Sequence, residues 1–211
     1  MTPRLWIKVC GLRTVEAIEA AARAGADAVG FVFHETSPRH LDCAQARALA
    51  AAVPAGVDKV AVFMHPTQAL VDAALDAVRP DWVQTDAEDL QVLALPAAQR
   101  VLPVYRTGRI VEPVRARRIL LEAARSGAGE RADWNAAGAL ARTNELVLAG
   151  GLDVANVGAA IESVRPFGVD VSSGVECNRG VKDVALIREF VNAAREAEDR
   201  LASSAQGVVQ R

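Results

Sequence analysis

Short apolar runs alternate with alanine-rich stretches of helical period along almost the whole chain. The strand candidates are residues 5–10, 28–33, 59–63, 82–84, 101–105, 119–121, 146–149 and 169–171, most of them rich in Val, Ile or Leu. A sheet with one wet face alternates apolar and polar side chains, whereas near-continuous apolar runs belong to parallel strands covered on both faces. Windows of helical period lie between them at 14–24, 43–52, 67–78, 154–164 and 184–195. In the last, Ile187, Phe190, Val191 and Ala194 fall on one face. Thr14, Asp42 and Asp183 each precede an apolar stripe and can cap a helix by accepting from its first free N–H groups.

Eight such strands alternating with helices in 211 residues predict an α/β fold, a single (β/α)8 TIM barrel without inserted domains. The rival, a doubly wound open sheet, carries its phosphate glycines after the first strand. Here the glycines follow the last two strands, and neither a G-x-G-x-x-G nor a Walker pattern occurs. No linker divides the chain, so residues 1–211 are expected to form one domain. Residues 107–118 carry a short, irregular fifth helix, and the Ser/Ala/Gln-rich tail from about residue 202 is expected to fray.

With 51% hydrophobic and 24% charged residues the chain can bury a large core, which argues against disorder. A net charge of −2 lacks the basic stripe of a nucleic-acid surface. No apolar run approaches the ~20 residues of a membrane span. Met1-Thr2-Pro3-Arg4 runs straight into the first strand without a leader-like pattern. Cys10, Cys43 and Cys177 are an odd number of cysteines with no C-x-x-C pair, so free thiols in a reducing cytoplasm are expected. His34, His40 and His65 show no ligand spacing with them, and no metal is expected.

In barrels of this type the chemistry lies at the C-terminal ends of the strands. The last strand stops in Gly168-Val169-Asp170-Val171-Ser172-Ser173-Gly174-Val175-Glu176, and the one before it in Leu148-Ala149-Gly150-Gly151. Either is an ordinary tight turn when taken alone. As a pair they suit an anion, because backbone N–H groups without intervening Cβ atoms let a phosphate approach. The first strand ends Lys8-Val9-Cys10-Gly11, with Lys8 and Cys10 on one face by strand parity. A lone cysteine is commonly an inert small hydrophobe, but a cation beside it can favour the thiolate. Lys8 is either an ion-pair member inside the barrel or a solvated side chain. Parity also aligns Asp170 with Ser172, and an interior aspartate needs partners such as Lys8 or a sugar hydroxyl. After the second strand, Ser37-Pro38-Arg39 can aim a guanidinium at a carboxylate, although a surface arginine in a polar loop is the commoner arrangement. Glu122 emerges from the sixth strand, followed by Glu130 and Asp133; a carboxylate there is a general acid if its surroundings raise its pKa, and otherwise a helix-capping or salt-bridged rim residue.

These residues resemble the phosphoribosylanthranilate isomerase family over essentially the whole chain. The motifs are Lys8-Val9-Cys10-Gly11, Gly25-Ala26-Asp27-Ala28-Val29-Gly30-Phe31-Val32-Phe33 leading to Ser37-Pro38-Arg39, Leu148-Ala149-Gly150-Gly151-Leu152, and Val169-Asp170-Val171-Ser172-Ser173-Gly174-Val175-Glu176 with Gly180-Val181-Lys182-Asp183. The resemblance implies a barrel without metal or organic cofactor, acting on a small phosphosugar as a monomer or weak homodimer. The implied reaction is an Amadori rearrangement in tryptophan biosynthesis, needing an acid for the ring oxygen and a base for the C2′ proton. It implies Cys10 as the base, Arg39 as the contact to the anthranilate carboxylate, and Asp170 at the ribose. It implies Gly150, Gly151, Ser172 and Ser173 as the phosphate cradle. Two positions depart from the family pattern. The sixth strand ends in Glu122 where the family has an aspartate acid, and Val83-Gln84-Thr85-Asp86 stands where Gln-Leu-His-Gly is usual. Glu122 is expected to take the acid role through a compensating backbone shift.

Two other functions fit the sequence less well. An aminosugar isomerase of histidine biosynthesis has aspartates as both acid and base and a phosphate site in each half, whereas here Cys10 ends the first strand. A phosphosugar binder without turnover is favoured only by Glu122.

Overall fold

The computed structural model describes residues 4–108, 116–124 and 130–208. Eight parallel strands close into a barrel: β1 (Trp6–Cys10), β2 (Ala28–Val32), β3 (Asp58–Val62), β4 (Trp82–Asp86), β5 (Arg100–Arg106), β6 (Arg118–Glu122), β7 (Glu145–Leu148) and β8 (Gly168–Val171). β8 returns beside β1 and sets Asp170 opposite Lys8, which completes the ring. The helices are α1 (Val15–Ala24), α2 (Cys43–Ala50), α3 (Gln68–Val78), α4 (Trp134–Ala141), α5 (Val157–Val164) and α6 (Val184–Val208).

The expected caps form. Thr14 accepts from Ala17 N at 3.2 Å, Asp42 closes a reciprocal box with Gln45, and Asp183 accepts from Ala185 N at 2.7 Å. Asp133, one of the carboxylates after the sixth strand, caps α4 through Asn135 N and Ala136 N.

Several boundaries differ from the sequence pattern. β4 continues through Thr85 and Asp86, because these buried polar side chains find partners within the fold: Thr85 donates to Asp89 at 2.6 Å and Asp86 pairs with Arg106. Between β4 and β5 there is a single 3-10 turn, Asp89–Gln91, in place of a helix. α5 starts at Val157 because the Asp153 side chain holds Ala155 N and Asn156 N in a preceding turn. α6 extends to Val208, well beyond the helical window read at 184–195. Of the fifth-helix stretch, residues 109–115 lie outside the described residues, as do 125–129 in the loop after β6. A two-stranded antiparallel hairpin, β9 (Glu176–Asn178) and β10 (Val181–Lys182), follows β8 and gave no sequence signal.

Strand parity sorts the core into two layers. Ile7, Val9, Val29, Phe31 and Val169 face the helices, while Trp6, Ala28, Val60, Leu102, Leu120 and Val147 fill the barrel interior. At the N-terminal end the Arg118 guanidinium lies 4.7 Å from the Trp82 ring and 4.0 Å from that of Phe167, with its charge held by Glu145 at 2.8 Å. This plug of aromatic rings and a paired cation closes the bottom, leaving the other mouth for chemistry.

Candidate active site

A cavity of about 240 Å³ opens at the C-terminal mouth, room for a small molecule rather than a packed core. Cys10, Arg39, Glu122, Asp170 and Ser172 all stand on its wall. β1 supplies Cys10 and β8 supplies Asp170 from adjacent strands, while Glu122 comes from β6, separated from β8 by β7.

Lys8 sits beneath this floor, fully buried, with its ammonium 2.9 Å from Asp170 Oδ1. The interior ion pair is therefore the arrangement adopted. Burial by itself opposes the charge on Lys8, but Asp170 and then Cys10 outweigh it and raise the pKa. Asp170 is in turn pushed up by burial and pulled back by Lys8. Of the two, the ammonium is the group whose charge the geometry holds, since both Asp170 and Cys10 favour it. Burial also dominates Cys10: it raises the thiol pKa, and Lys8 only partly offsets this. A neighbouring cation thus does not by itself produce a thiolate here. Gly30 on β2 makes room for the pair. A Cβ at that position would lie 2.8 Å from Cys10 Sγ and 3.2 Å from Lys8 Cε.

Arg39 is not a surface arginine; only 5% of it is exposed. Its Nε and Nη2 donate to the two oxygens of Glu176 at 2.6 and 2.9 Å. Gly11, at φ +75°, leaves space for its stem, since a Cβ there would meet Arg39 Cδ at 2.5 Å. Glu176 also accepts from Lys182 at 2.7 Å and from Gly180 N at 3.0 Å. Burial favours its neutral form, but these bonds prevail and hold its pKa at about 2. Lys182, lowered by burial even against Glu176, reaches back to the Ser172 carbonyl at 2.8 Å. Glu176 and Lys182, given no role from sequence, therefore tie the Arg39 loop to the end of β8. Their signal was only that both stand in motifs that carry the family resemblance, with no role attached.

The two expected phosphate turns lie together at the rim. Asp153 and Gly174 form a parallel bridge, and a Cβ on Gly174 would meet Leu152 O at 2.0 Å. Gly150 and Gly151 have φ +86° and +63°, and a Cβ on either would come within 2.8 Å of backbone at Ala123 or Arg131. Ser172 Oγ donates to the Cys10 carbonyl at 3.1 Å. Gly150, Gly151 and Ser173 are not among the residues that line the cavity.

Asp86 is buried and ion-paired with Arg106, which also lines the cavity. Its other oxygen lies 3.5 Å from His65 Nε2, while His65 Nδ1 is 2.9 Å from Asp89. Among the described residues these three alone could converge on a metal ion. The imidazole already bridges the two carboxylates, its pKa raised by the Asp89 hydrogen bond, and Arg106 supplies further positive charge. Asp86 Oδ2 is buried without a hydrogen bond of its own among the described residues, and His65 reaches the Asp86/Asp89 pair from the loop after β3, a spacing that gave no sequence signal. No described helix is long and apolar enough to cross a membrane.

Comparison with known proteins gives a consistent result. The family model described as N-(5'phosphoribosyl)anthranilate (PRA) isomerase matches residues 7–193. An N-(5'-phosphoribosyl)anthranilate isomerase of Pseudomonas aeruginosa is 42% identical over 207 residues, covering 92% of this chain and 96% of the relative. The crystal structure of phosphoribosyl anthranilate isomerase from Thermus thermophilus superposes with a TM-score of 0.79 at 26% identity, covering 91% of this chain and 99% of that one. A phosphoribosyl anthranilate isomerase solved in complex with reduced 1-(o-carboxyphenylamino)-1-deoxyribulose 5-phosphate superposes with a TM-score of 0.75 at 30% identity, covering 92% of this chain and all of that one (100%). A barrel with Lys8, Cys10 and Asp170 on its floor and a match across nearly its whole length place this chain in the N-(5'-phosphoribosyl)anthranilate isomerase family.

Proposed function

We propose that this mouth rearranges N-(5-phospho-β-D-ribosyl)anthranilate to 1-(2-carboxyphenylamino)-1-deoxy-D-ribulose 5-phosphate, the isomerisation of tryptophan biosynthesis. Glu122 gives its proton to the ring oxygen as the C1′–O bond breaks, leaving a Schiff base. Cys10, as thiolate, takes the C2′ proton, and the electron pair moves to form an enol-amine. Cys10 returns its proton to C1′ while the enol O2′–H proton passes to the Glu122 carboxylate, which gives the ketone and restores both groups, so nothing is gained or lost overall. Asp170, anchored by Lys8, accepts from a ribose hydroxyl. The backbone of Gly150, Gly151, Ser172 and Ser173 receives the phosphate. Glu176 engages two of the five donors of Arg39, leaving three for the anthranilate carboxylate. The reaction needs no cofactor in this reading, and the chain works as one domain, in the cytoplasm, as a monomer or weak homodimer.

One observation supports this above the others: a buried thiol with an ammonium beneath it faces a carboxylate across one cavity. A thiol pushed up by burial is a strong base once ionised, matched to a weakly acidic C–H. The test is to follow anthranilate fluorescence when substrate meets catalytic amounts of protein. Many turnovers per chain support the isomerase, whereas a change equal to the protein concentration supports a binder. No change with this substrate but turnover of the histidine-pathway aminosugar overturns the assignment.

A further inference from the structure

Three arginines line the cavity: Arg39, Arg106 and Arg179. Arg39 is bound to Glu176 and Arg106 to Asp86, so each already has a carboxylate partner. Arg179, exposed at the turn between β9 and β10, has no ion pair among the described residues. The turn that carries it is not loosely placed. Gly180, at φ +83°, packs so closely that a Cβ there would lie 2.6 Å from Pro38 O, and its N–H is held by Glu176. Arg179 is thereby set against the Ser37-Pro38-Arg39 loop, on the side of the mouth to which the proposed function assigns the aromatic ring.

The substrate of that reading carries two anions. The backbone turns after β7 and β8 take one, and the ring carboxylate remains. Toward that carboxylate Arg39 offers only the part of its fork that Glu176 leaves free, since its Nε and Nη2 already donate there. An arginine with no counter-charge and all five donors unused is the stronger electrostatic partner. We infer that Arg179 is a specificity-determining residue that receives the aromatic carboxylate together with Arg39, so that the β9–β10 hairpin forms part of the substrate site. Sequence reasoning passed over Arg179 because it lies in a loop between two short polar strands, where an arginine is ordinarily solvated.

This inference rests on the proposed function, and the experiment separates the two. Binding of reduced 1-(o-carboxyphenylamino)-1-deoxyribulose 5-phosphate, and of its counterpart without the ring carboxyl, is measured by titration calorimetry for the native chain and for Arg179→Ala. The expected result is that Arg179→Ala weakens the carboxylated ligand by on the order of fivefold, the scale of a partly exposed charge pair. The ligand without the carboxyl should bind both proteins alike. Arg179→Lys, which keeps the charge but loses the fork, should fall between. If Arg179→Ala binds the carboxylated ligand as the native chain does, the inference fails while the proposed function stands. An equal loss with both ligands also overturns it, by assigning Arg179 to the phosphate. If the native chain binds neither ligand, the proposed function itself fails, and the inference with it.

Discussion

Replacing Glu176 by glutamine removes one charge from a buried cluster while preserving its shape. The carboxylate, with 4% of its side chain exposed, holds Arg39, Lys182 and the Gly180 amide at once. Its pKa falls from 4.5 to about 2, a difference equivalent to about 3 kcal/mol of folding free energy at neutral pH. Leaving two buried cations without their common partner costs a similar amount, roughly 3–5 kcal/mol in comparable cases. A loss of about 3 kcal/mol is therefore expected, or a melting temperature lower by about 6–12 °C for a chain of this size. The pH dependence is the sharper part. A depressed carboxylate stabilises the fold above its unfolded pKa, and this is lost as pH falls from 4.5 toward 2. The gap between native and Glu176→Gln chains in urea unfolding should shrink by about half between pH 7 and roughly pH 3. A gap that is the same at both pH values, or below about 0.5 kcal/mol at pH 7, refutes the reasoning, because the charge of Glu176 would then not be what secures the hairpin.

Other outcomes follow from the catalytic floor. Cys10→Ser should bring turnover near background while the reduced product analogue binds within a few-fold of the native value; retained turnover removes Cys10 from the mechanism. Because burial raises the thiol pKa and the base must be ionised, kcat/KM should still be climbing at about pH 8, near the ordinary thiol value; a plateau already reached near neutrality shows that the working thiol is not raised. Glu122→Gln should lose turnover as fully as Cys10→Ser, whereas Asp133→Asn, altering only the cap of α4, should cost at most about 1 kcal/mol in unfolding and leave kcat intact; the reverse pattern transfers the acid role to Asp133. Gly30→Ala puts a methyl 2.8 Å from Cys10 Sγ, so kcat should fall at least about tenfold, as misplacement of a reacting group by a fraction of an ångström allows. Unchanged kcat in that variant shows that the thiol position is not critical.

Much of this was written in the order of residues. Period and composition alone marked every barrel strand to within a few residues, because a strand covered on both faces must be apolar throughout. Thr14, Asp42 and Asp183 announced their helices because capping is a local exchange between one side chain and the next turn. Parity put Lys8 with Cys10, and Asp170 with Ser172, before any fold was known. Local rules failed where polar residues entered the sheet: Thr85 and Asp86 looked like a strand end until their partners on neighbouring segments were visible.

What the chain could not express locally was pairing across the closed ring. Arg39 and Glu176 stand 137 positions apart, and Lys8 and Asp170 162 apart, yet closure of β8 onto β1 makes them neighbours. Nothing near Arg39 says whether it meets water or a carboxylate, and nothing near Cys10 says whether a cation or burial governs its proton. Those outcomes depend on how much solvent the finished barrel excludes and which charges it brings within a few ångströms, quantities defined only once all eight strands have met. Identity and order of the elements are local properties of this sequence; the charge state and company of its reactive groups belong to the tertiary structure.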